Sequence, residues 1–526
     1  MNKDTFIEVV KNGFSFKGES FKIGTAVLDG KPLTGTDILV PLKMMNRHGL
    51  IAGATGTGKT KTLQVITEGL SNASVPVLLM DIKGDLSGIA APGESNDKIT
   101  ERLSHTGGEY KPSGFPVELL SISNEQGVRI RATVTEFGPI LLSKILGLND
   151  TQEGVVTLIF KYCDDHKMPL LDLKDFIKLL QYIGNEGKKD IEKEYGKIST
   201  STTGTILRKV IELQQQGADI FFGEPSFEVD DLMRIADDGR GMVSVLRVTD
   251  MQNRPKLFST FMLSLLAELY GSLPEEGDMD KPKLVIFIDE AHLVFQEATD
   301  ALLQQILTVV KLIRSKGIGI FFCTQNPQDI PAGVLAQLGM KVQHALRAFT
   351  AGDRKAIKQA AQNYPETEFY DVAELMTQLG TGEAFISLLN EKGIPSPLVH
   401  TMIVPPSSRM DILSPSEIVD VVGKSKLKKK YDQVVDTQSA YEILTGKLNE
   451  AAARTSEETV KPGTEEKAAE PAKTRPARQE KSTVEKMLES SVTRQIGRTA
   501  ASVITRSLLG ALGLGGRSRS KSKSWF

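Results

Sequence analysis

The stretch Leu50 to Leu70, LIAGATGTGKTKTLQVITEGL, constrains this chain more than any other, because an apolar segment, a glycine-rich loop and a helix follow one another without a break. Gly53-Ala54-Thr55-Gly56-Thr57-Gly58-Lys59-Thr60 fits G-x-x-x-x-G-K-[ST], with Lys61 next in the helix. Glycine permits a loop whose consecutive backbone N–H groups point inward, and the helix that follows adds its positive end. Such a loop is a cradle for phosphates, in which Lys59 would reach the β- and γ-phosphates and Thr60 would hold Mg2+. Chance alone would produce the pattern in about one chain in twenty of this composition, so the strand before it and the helix after it carry the reading.

A parallel α/β sheet is expected around this unit. VPVLLMD follows the first helix, and GMVSVLRV, KLVIFID and GIGIFFCTQ come later, separated by the helical stretches LFSTFMLSLLAELYGSL and ALLQQILTVVKLIRSKG. Continuous rather than alternating apolar runs mean strands buried on both faces. HALRAF and AFISLL read as further strands, and FSFKG, FKIGTAVLDGKP and TDILVPL as a short β element over residues 1–45. The core thus divides into halves at 46–139 and 229–405. Between them, residues 140–228 carry apolar residues mostly three and four apart, the spacing of a helical insertion. A helical extension over 406–450 precedes a polar, Pro-rich linker over 451–483 that is expected to be disordered. The tail, 484–526, begins as an amphipathic pattern, with Val484, Leu488, Val492 and Ile496 opposite Arg494 and Arg498.

The run LVIFIDEAHLVF places two carboxylates at the end of a buried strand. Asp289 would order a metal ion and its water shell, and Glu290 would polarise an attacking water. Gln325, at the end of GIGIFFCTQ, could touch a γ-phosphate. Asp81, ending VPVLLMD, falls where ligands of open α/β sheets gather and could help order metal or water. Arg47, Arg314, Arg347 and Arg354 are candidates for an arginine that reaches a neighbour's γ-phosphate. His292 fits a contact behind the carboxylates, since six histidines without an H-E-x-x-H spacing give no metal site. Asp289 to His292 also spell D-E-A-H, the name of a helicase group. Those enzymes carry two ATPase-like folds and keep the quartet nearer the loop, whereas here about 230 residues intervene and there is one such loop. A GTPase is disfavoured too: Asn326-Pro327-Gln328-Asp329 replaces the Lys of N-K-x-D by Pro.

Charge narrows the partners. The net charge is −2, yet from Ser490 onward seven Arg and Lys residues face no Asp or Glu, so the tail is basic and the rest acidic. A basic footprint spread over the core is missing, and nucleic-acid contact is expected to be local. Cys163 and Cys323 stand far apart, which fits buried thiols in a reducing compartment. Charges at Lys3, Asp4, Glu8 and Lys11 leave no room for a signal peptide, and no long uncharged apolar run occurs, so a cytoplasmic protein without a membrane span is expected.

In order, GATGTGKT, LLMDIKGDLSG, a helical insertion, LVIFIDEAHLVF and SKGIGIFFCTQNPQDIP resemble the HerA/FtsK group of P-loop ATPases, and more closely its bacterial HerA-like branch typified by YjgR. The likeness covers about residues 20 to 405, with SLLGALGLGGRS in the tail an added match. It implies a RecA-like fold of the additional-strand (ASCE) type, ATP and Mg2+ as cofactors, and a homohexameric ring that moves DNA, with a nuclease as a possible partner. It also implies Lys59 and Thr60 on phosphate and Mg2+, Asp289 with the metal, Glu290 as base and Gln325 as sensor. Asp81 matches a family acidic position, and Arg47 and Arg314 fall near functional arginines. One departure is that HerA begins with a sizeable β-barrel, whereas some 45 residues precede the loop here. A secretion-type motor acting on protein and a nucleotide-gated scaffold remain the alternatives.

Overall fold

The continuous apolar runs form the buried middle of one sheet. The computed structural model describes residues 3–458 except 253, 278, 297–299, 434 and 436. Its strands are β1 (Ser20–Leu28), β2 (Lys31–Pro41), β3 (Gly49–Ala52), β4 (Val77–Asp81), β5 (Val117–Ser121), β6 (Val128–Arg129), β7 (Val243–Arg247), β8 (Leu284–Ile288), β9 (Ile318–Thr324), β10 (Met340–Gln343), β11 (Glu383–Ser387) and β12 (Val399–Ile403). They lie side by side in the order β2-β1-β12-β11-β10-β3-β9-β8-β4-β7-β5-β6. From β10 through to β6 every pairing is parallel, and from β10 outward to β2 every pairing is antiparallel. All residues of β3, β4, β8 and β9 are buried, as strands covered on both faces require.

Register decides what meets at the strand ends. Ala52 pairs with Thr324, Phe322 with Ile288, and Ile288 with Met80. The residues that follow β3, β9, β8 and β4 therefore emerge along one edge, with β9 inserted between the strand of the glycine loop and the strand of the acidic pair. Ligands of open parallel sheets gather at this carboxyl edge.

The chain forms two compact units, Met1–Ala132 with Gln216–Val434, and Thr133–Gln215 with the chain from Val435. The sheet belongs to the first. In the second are the helices Val134–Ile145, Asp150–Asp165, Leu173–Gly184, Lys188–Tyr195 and Thr200–Gln215, which begin six residues before the stretch 140–228 expected to be helical and end at Gln215 within it. Capping boxes at Thr133, Asn149 and Asp172 start three of them. The helix Ala440–Glu458 joins this unit through Tyr441 N–H on Asp175 Oδ1 at 2.8 Å. That helix runs eight residues into the stretch expected as linker. The remainder of the linker and the basic tail lie outside the described residues.

Three local expectations change. Residues 1–45 are not a separate β element: the helix Lys3–Gly13 comes first, FSFKG is not a strand, and β1 and β2 form a hairpin that extends the main sheet through β12. Phe6 of that helix packs edge-on against Phe369 at 5.0 Å and Tyr370 at 5.9 Å. HALRAF is not a strand either, because β10 ends at Gln343, one residue earlier. Among the described residues no helix is long and apolar enough to cross a membrane.

Candidate active site

The helix Lys59–Asn72 begins at Gly58, which takes a left-handed conformation (φ 109°) and offers no side-chain cap; its first turn holds no acidic residue. The helix thus presents uncapped N–H groups and its positive end to whatever the loop holds. Glycine is required at 58, since a Cβ there would lie 2.9 Å from the nitrogen of Gly382. Gly382 N–H in turn donates to Thr57 O at 2.9 Å, so the turn before β11 braces the loop. Arg102 holds that turn by donating to the carbonyls of Thr381 and Gly382 at 2.8 and 3.1 Å. His344, buried after β10, binds Thr62 Oγ1 through Nε2 at 2.9 Å and Glu383 O through Nδ1 at 2.8 Å. A carbonyl only accepts, so Nδ1 carries the proton and Nε2 accepts from the threonine.

Lys59 is buried and donates to Ala54 O at 3.2 Å, across the loop. Burial, then the neighbouring Lys83 ammonium, holds its pKa below the ordinary lysine value. Asp289 and Glu290 are each 6% exposed and stand directly after β8. Oδ2 of Asp289 is buried without a hydrogen-bond partner, and burial raises this carboxyl to about 7. A buried carboxylate oxygen left without a donor is costly. It is a fitting ligand, direct or through water, for a divalent cation beside Thr60.

Glu290 adopts φ +44°, rare for a residue with a side chain, and this turns its carboxylate across the edge toward β9. Three groups meet it there. Lys83 forms an ion pair with Oε1, Gln325 Nε2 lies 3.4 and 3.5 Å from the two oxygens, and His292 Nδ1 lies 3.2 Å from Oε2. Burial alone would raise the Glu290 carboxyl, but the Lys83 hydrogen bond and charge hold it below the ordinary value. A carboxylate kept ionised next to an amide is chemically able to orient and polarise a water.

Lys59, Thr60, Asp289, Glu290, Gln325 and His292 thus belong to one edge of the sheet. Asp81 reaches the same edge but is engaged differently. Its Oδ1 accepts from Gly84 and Asp85 N–H at 2.7 and 3.1 Å, and its Oδ2 from Leu86 N–H at 3.2 Å. In this structure it caps the turn after β4. Lys83, Asp85, His344 and Arg102 were missed, although the glycine in Asp81-Ile82-Lys83-Gly84-Asp85 marks a tight turn at the end of a buried strand.

Arg47 and Arg314 are not with them. Both precede their strands, β3 and β9. The seven residues of β9, at about 3.3 Å each, put about 23 Å between the strand's start, which Arg314 precedes, and Gln325. Both arginines stand at the opposite end of their strands from the loop. Arg347 follows β10 on the carboxyl edge, exposed and donating to Thr377 O at 3.2 Å, and Arg354 is exposed on the helix Ala351–Ala361.

A parallel sheet with a strand inserted between the glycine-loop strand and the acidic-pair strand, both ends meeting at one edge, defines the RecA-like class of P-loop NTPases. Within that class the chain belongs to the HerA-like helicase family, whose C-terminal model matches residues 27–519. It is 22% identical over 358 residues to the DNA double-strand break repair helicase HerA of Sulfolobus acidocaldarius, covering 67% of this chain and 65% of that protein. The DNA import protein CedB of the same organism is 24% identical, over 66% of this chain and 51% of its own length. This chain therefore spans about two thirds or less of these relatives. Among solved structures, the bacterial conjugative coupling protein TrwB aligns with 77% of this chain and 93% of its own at 13% identity, with a TM-score of 0.48, too low to carry weight.

Proposed function

We propose that this protein is a Mg2+-dependent ATPase that works as a homohexameric ring and uses hydrolysis to move along DNA. The observation that carries the reading is the contact of Gln325 and Lys83 with Glu290 on the edge where the Lys59 loop also ends. In this reading the loop from Gly53 to Lys61 holds the phosphates through the Lys59 ammonium and the N–H groups that follow Ala54, those of Gly53 and Ala54 being bonded to Thr324 O and Ala345 O. Thr60 and Asp289 would hold Mg2+, which when bound would supply positive charge to the phosphate oxygens. Glu290 orients and polarises the attacking water, and Gln325, touching both Glu290 and the γ-phosphate position, couples the state of the nucleotide to β9. Since Arg47 and Arg314 are remote from their own loop, the arginine that stabilises the transferring phosphoryl group comes from a neighbouring copy. DNA as the substrate is supported by relatives whose names are DNA repair helicase and DNA import protein.

Hydrolysis rate and particle mass, measured with and without DNA for the parent, Lys59→Ala and Glu290→Gln, test this. The expected result is hydrolysis that rises with protein concentration and with DNA. Glu290→Gln should lose roughly 10²- to 10⁴-fold in rate while still binding ATP, and Lys59→Ala should lose binding. A strictly monomeric parent indifferent to DNA would remove the translocase reading.

A further inference from the structure

From the turn after β4, we infer that Asp85 is a second carboxylate of the metal site, holding with Thr60 and Asp289 the Mg2+ that accompanies the nucleotide, and that Asp81 is the positioning residue that presents it. The inference rests on the nucleotide reading above and assigns to the site a residue that the sequence had not singled out.

Thr60, the hydroxyl of the glycine-lysine-threonine loop, already donates to Asp85 Oδ2 at 3.3 Å. The other oxygen of that carboxylate, Oδ1, is buried without a partner, as is Oδ2 of Asp289. Two orphaned carboxylate oxygens on adjacent strand ends, with the Thr60 hydroxyl between the loop and one of them, form an all-oxygen donor set of the kind Mg2+ takes, the remaining positions being water and phosphate. Left unmet, each orphaned oxygen costs free energy, and their charges oppose each other.

The turn is built to keep Asp85 there. Three N–H groups, from Gly84, Asp85 and Leu86, converge on the buried Asp81 carboxylate. Gly84 sits at φ +78°, and a Cβ would approach Thr249 Cγ2 to 3.0 Å, so the turn admits glycine and little else. Lys83, one residue earlier, lies across to Glu290. A cation is what this edge is arranged to hold. In Asp81-Ile82-Lys83-Gly84-Asp85, therefore, the first acid is spent on the backbone and the last faces the ion.

The test uses the full chain with Mn2+ as spectroscopic probe and ADP as nucleotide. Electron paramagnetic resonance reads free Mn2+, and a fluorescent ADP analogue reads nucleotide binding in EDTA. For Asp85→Asn we expect Mn2+ affinity in the presence of ADP to fall tenfold or more, with ADP affinity in EDTA within about twofold of the parent. Asp81→Asn should lower the melting temperature and weaken Mn2+ less. Should Asp85→Asn fail to bind ADP in EDTA, Asp85→Ser, which keeps a small acceptor for Thr60, replaces it. Unchanged Mn2+ affinity in a variant that binds ADP overturns the inference alone. A parent that binds no ADP at all overturns the nucleotide reading with it.

Discussion

His48 illustrates how much one residue can fix away from the chemistry. It sits between the short helix Leu42–Arg47 and β3, buried, at φ +60°. Ile320 N–H donates to its Nδ1 at 3.0 Å, so Nε2 carries the proton and donates to Val310 O at 2.8 Å. The ring thereby ties the start of β3 to β9 and to the helix Asp300–Ile313. Burial holds its pKa at about 4, from 6.5, with the Arg314 and Arg47 charges adding to the effect. A histidine lowered in the folded state contributes stability that is present above pH 6.5 and lost as pH falls through about 4. The difference is worth at most about 3 kcal/mol. Urea denaturation of the parent is expected to show stability dropping between pH 6.5 and 4. His48→Gln should be less stable at pH 7 and show a shallower drop; an unchanged slope would mean that His48 is not the group responsible.

At the scale of elements, the helix of the glycine loop is held from behind. Glu68, 6% exposed, accepts Ser407 N–H at 2.8 Å and Ser408 N–H at 3.0 Å, and also the Ser408 hydroxyl. Gln64 donates to Arg409 O at 2.9 Å, and Leu413 N–H to Ser87 Oγ at 3.0 Å. The segment from Ser407 to Leu413 is thus a strap joining the loop helix to the turn after β4. Glu68→Ala would leave the two N–H groups unmet, at a cost of roughly 2–4 kcal/mol, while Glu68→Gln, keeping one acceptor, should cost less. Chemical denaturation measures both, and equal effects would place the loss in packing. No strap could be read from the sequence, because its partners lie more than 300 positions apart. The same distance hid the fate of β1 and β2, whose neighbour β12 begins at Val399. By contrast β3, β4, β8 and β9 were legible, since a strand buried on both faces writes itself as an unbroken apolar run. Lys59, Asp289 and Glu290 stood out because local spacing carries them. Asp81 stood out but Asp85 did not, since which of two acids caps a turn depends on which way each points.

At the scale of the whole molecule, the distribution of functional groups is uneven in a way that one chain cannot use. The carboxyl edge holds the phosphate loop, both acids and the glutamine, but the arginines Arg47 and Arg314 start their strands at the far edge. If a copy of this chain closes the site, the contact is head-to-tail: one protomer gives Glu290, the next gives arginine, and repetition closes a ring. This has a consequence that no monomer with self-contained sites shares. Glu290→Gln protomers lack the base but keep the arginines, and Arg314→Ala protomers lack the arginine but keep the base. Each alone should hydrolyse ATP poorly, the arginine loss being about 10³- to 10⁵-fold. When the two are unfolded or dissociated together and reassembled in equal amounts, random neighbours pair an intact base with an intact arginine at about a quarter of head-to-tail interfaces. Activity should therefore reappear in the mixture, scaling with the fraction of such interfaces and absent when the two are mixed without exchange. The same experiment with Arg47→Ala identifies which arginine crosses, since the residue that does not will leave its single variant active. A mixture no more active than the mean of its parts would mean that each protomer completes its own site, and the arginines of the far edge would then be structural.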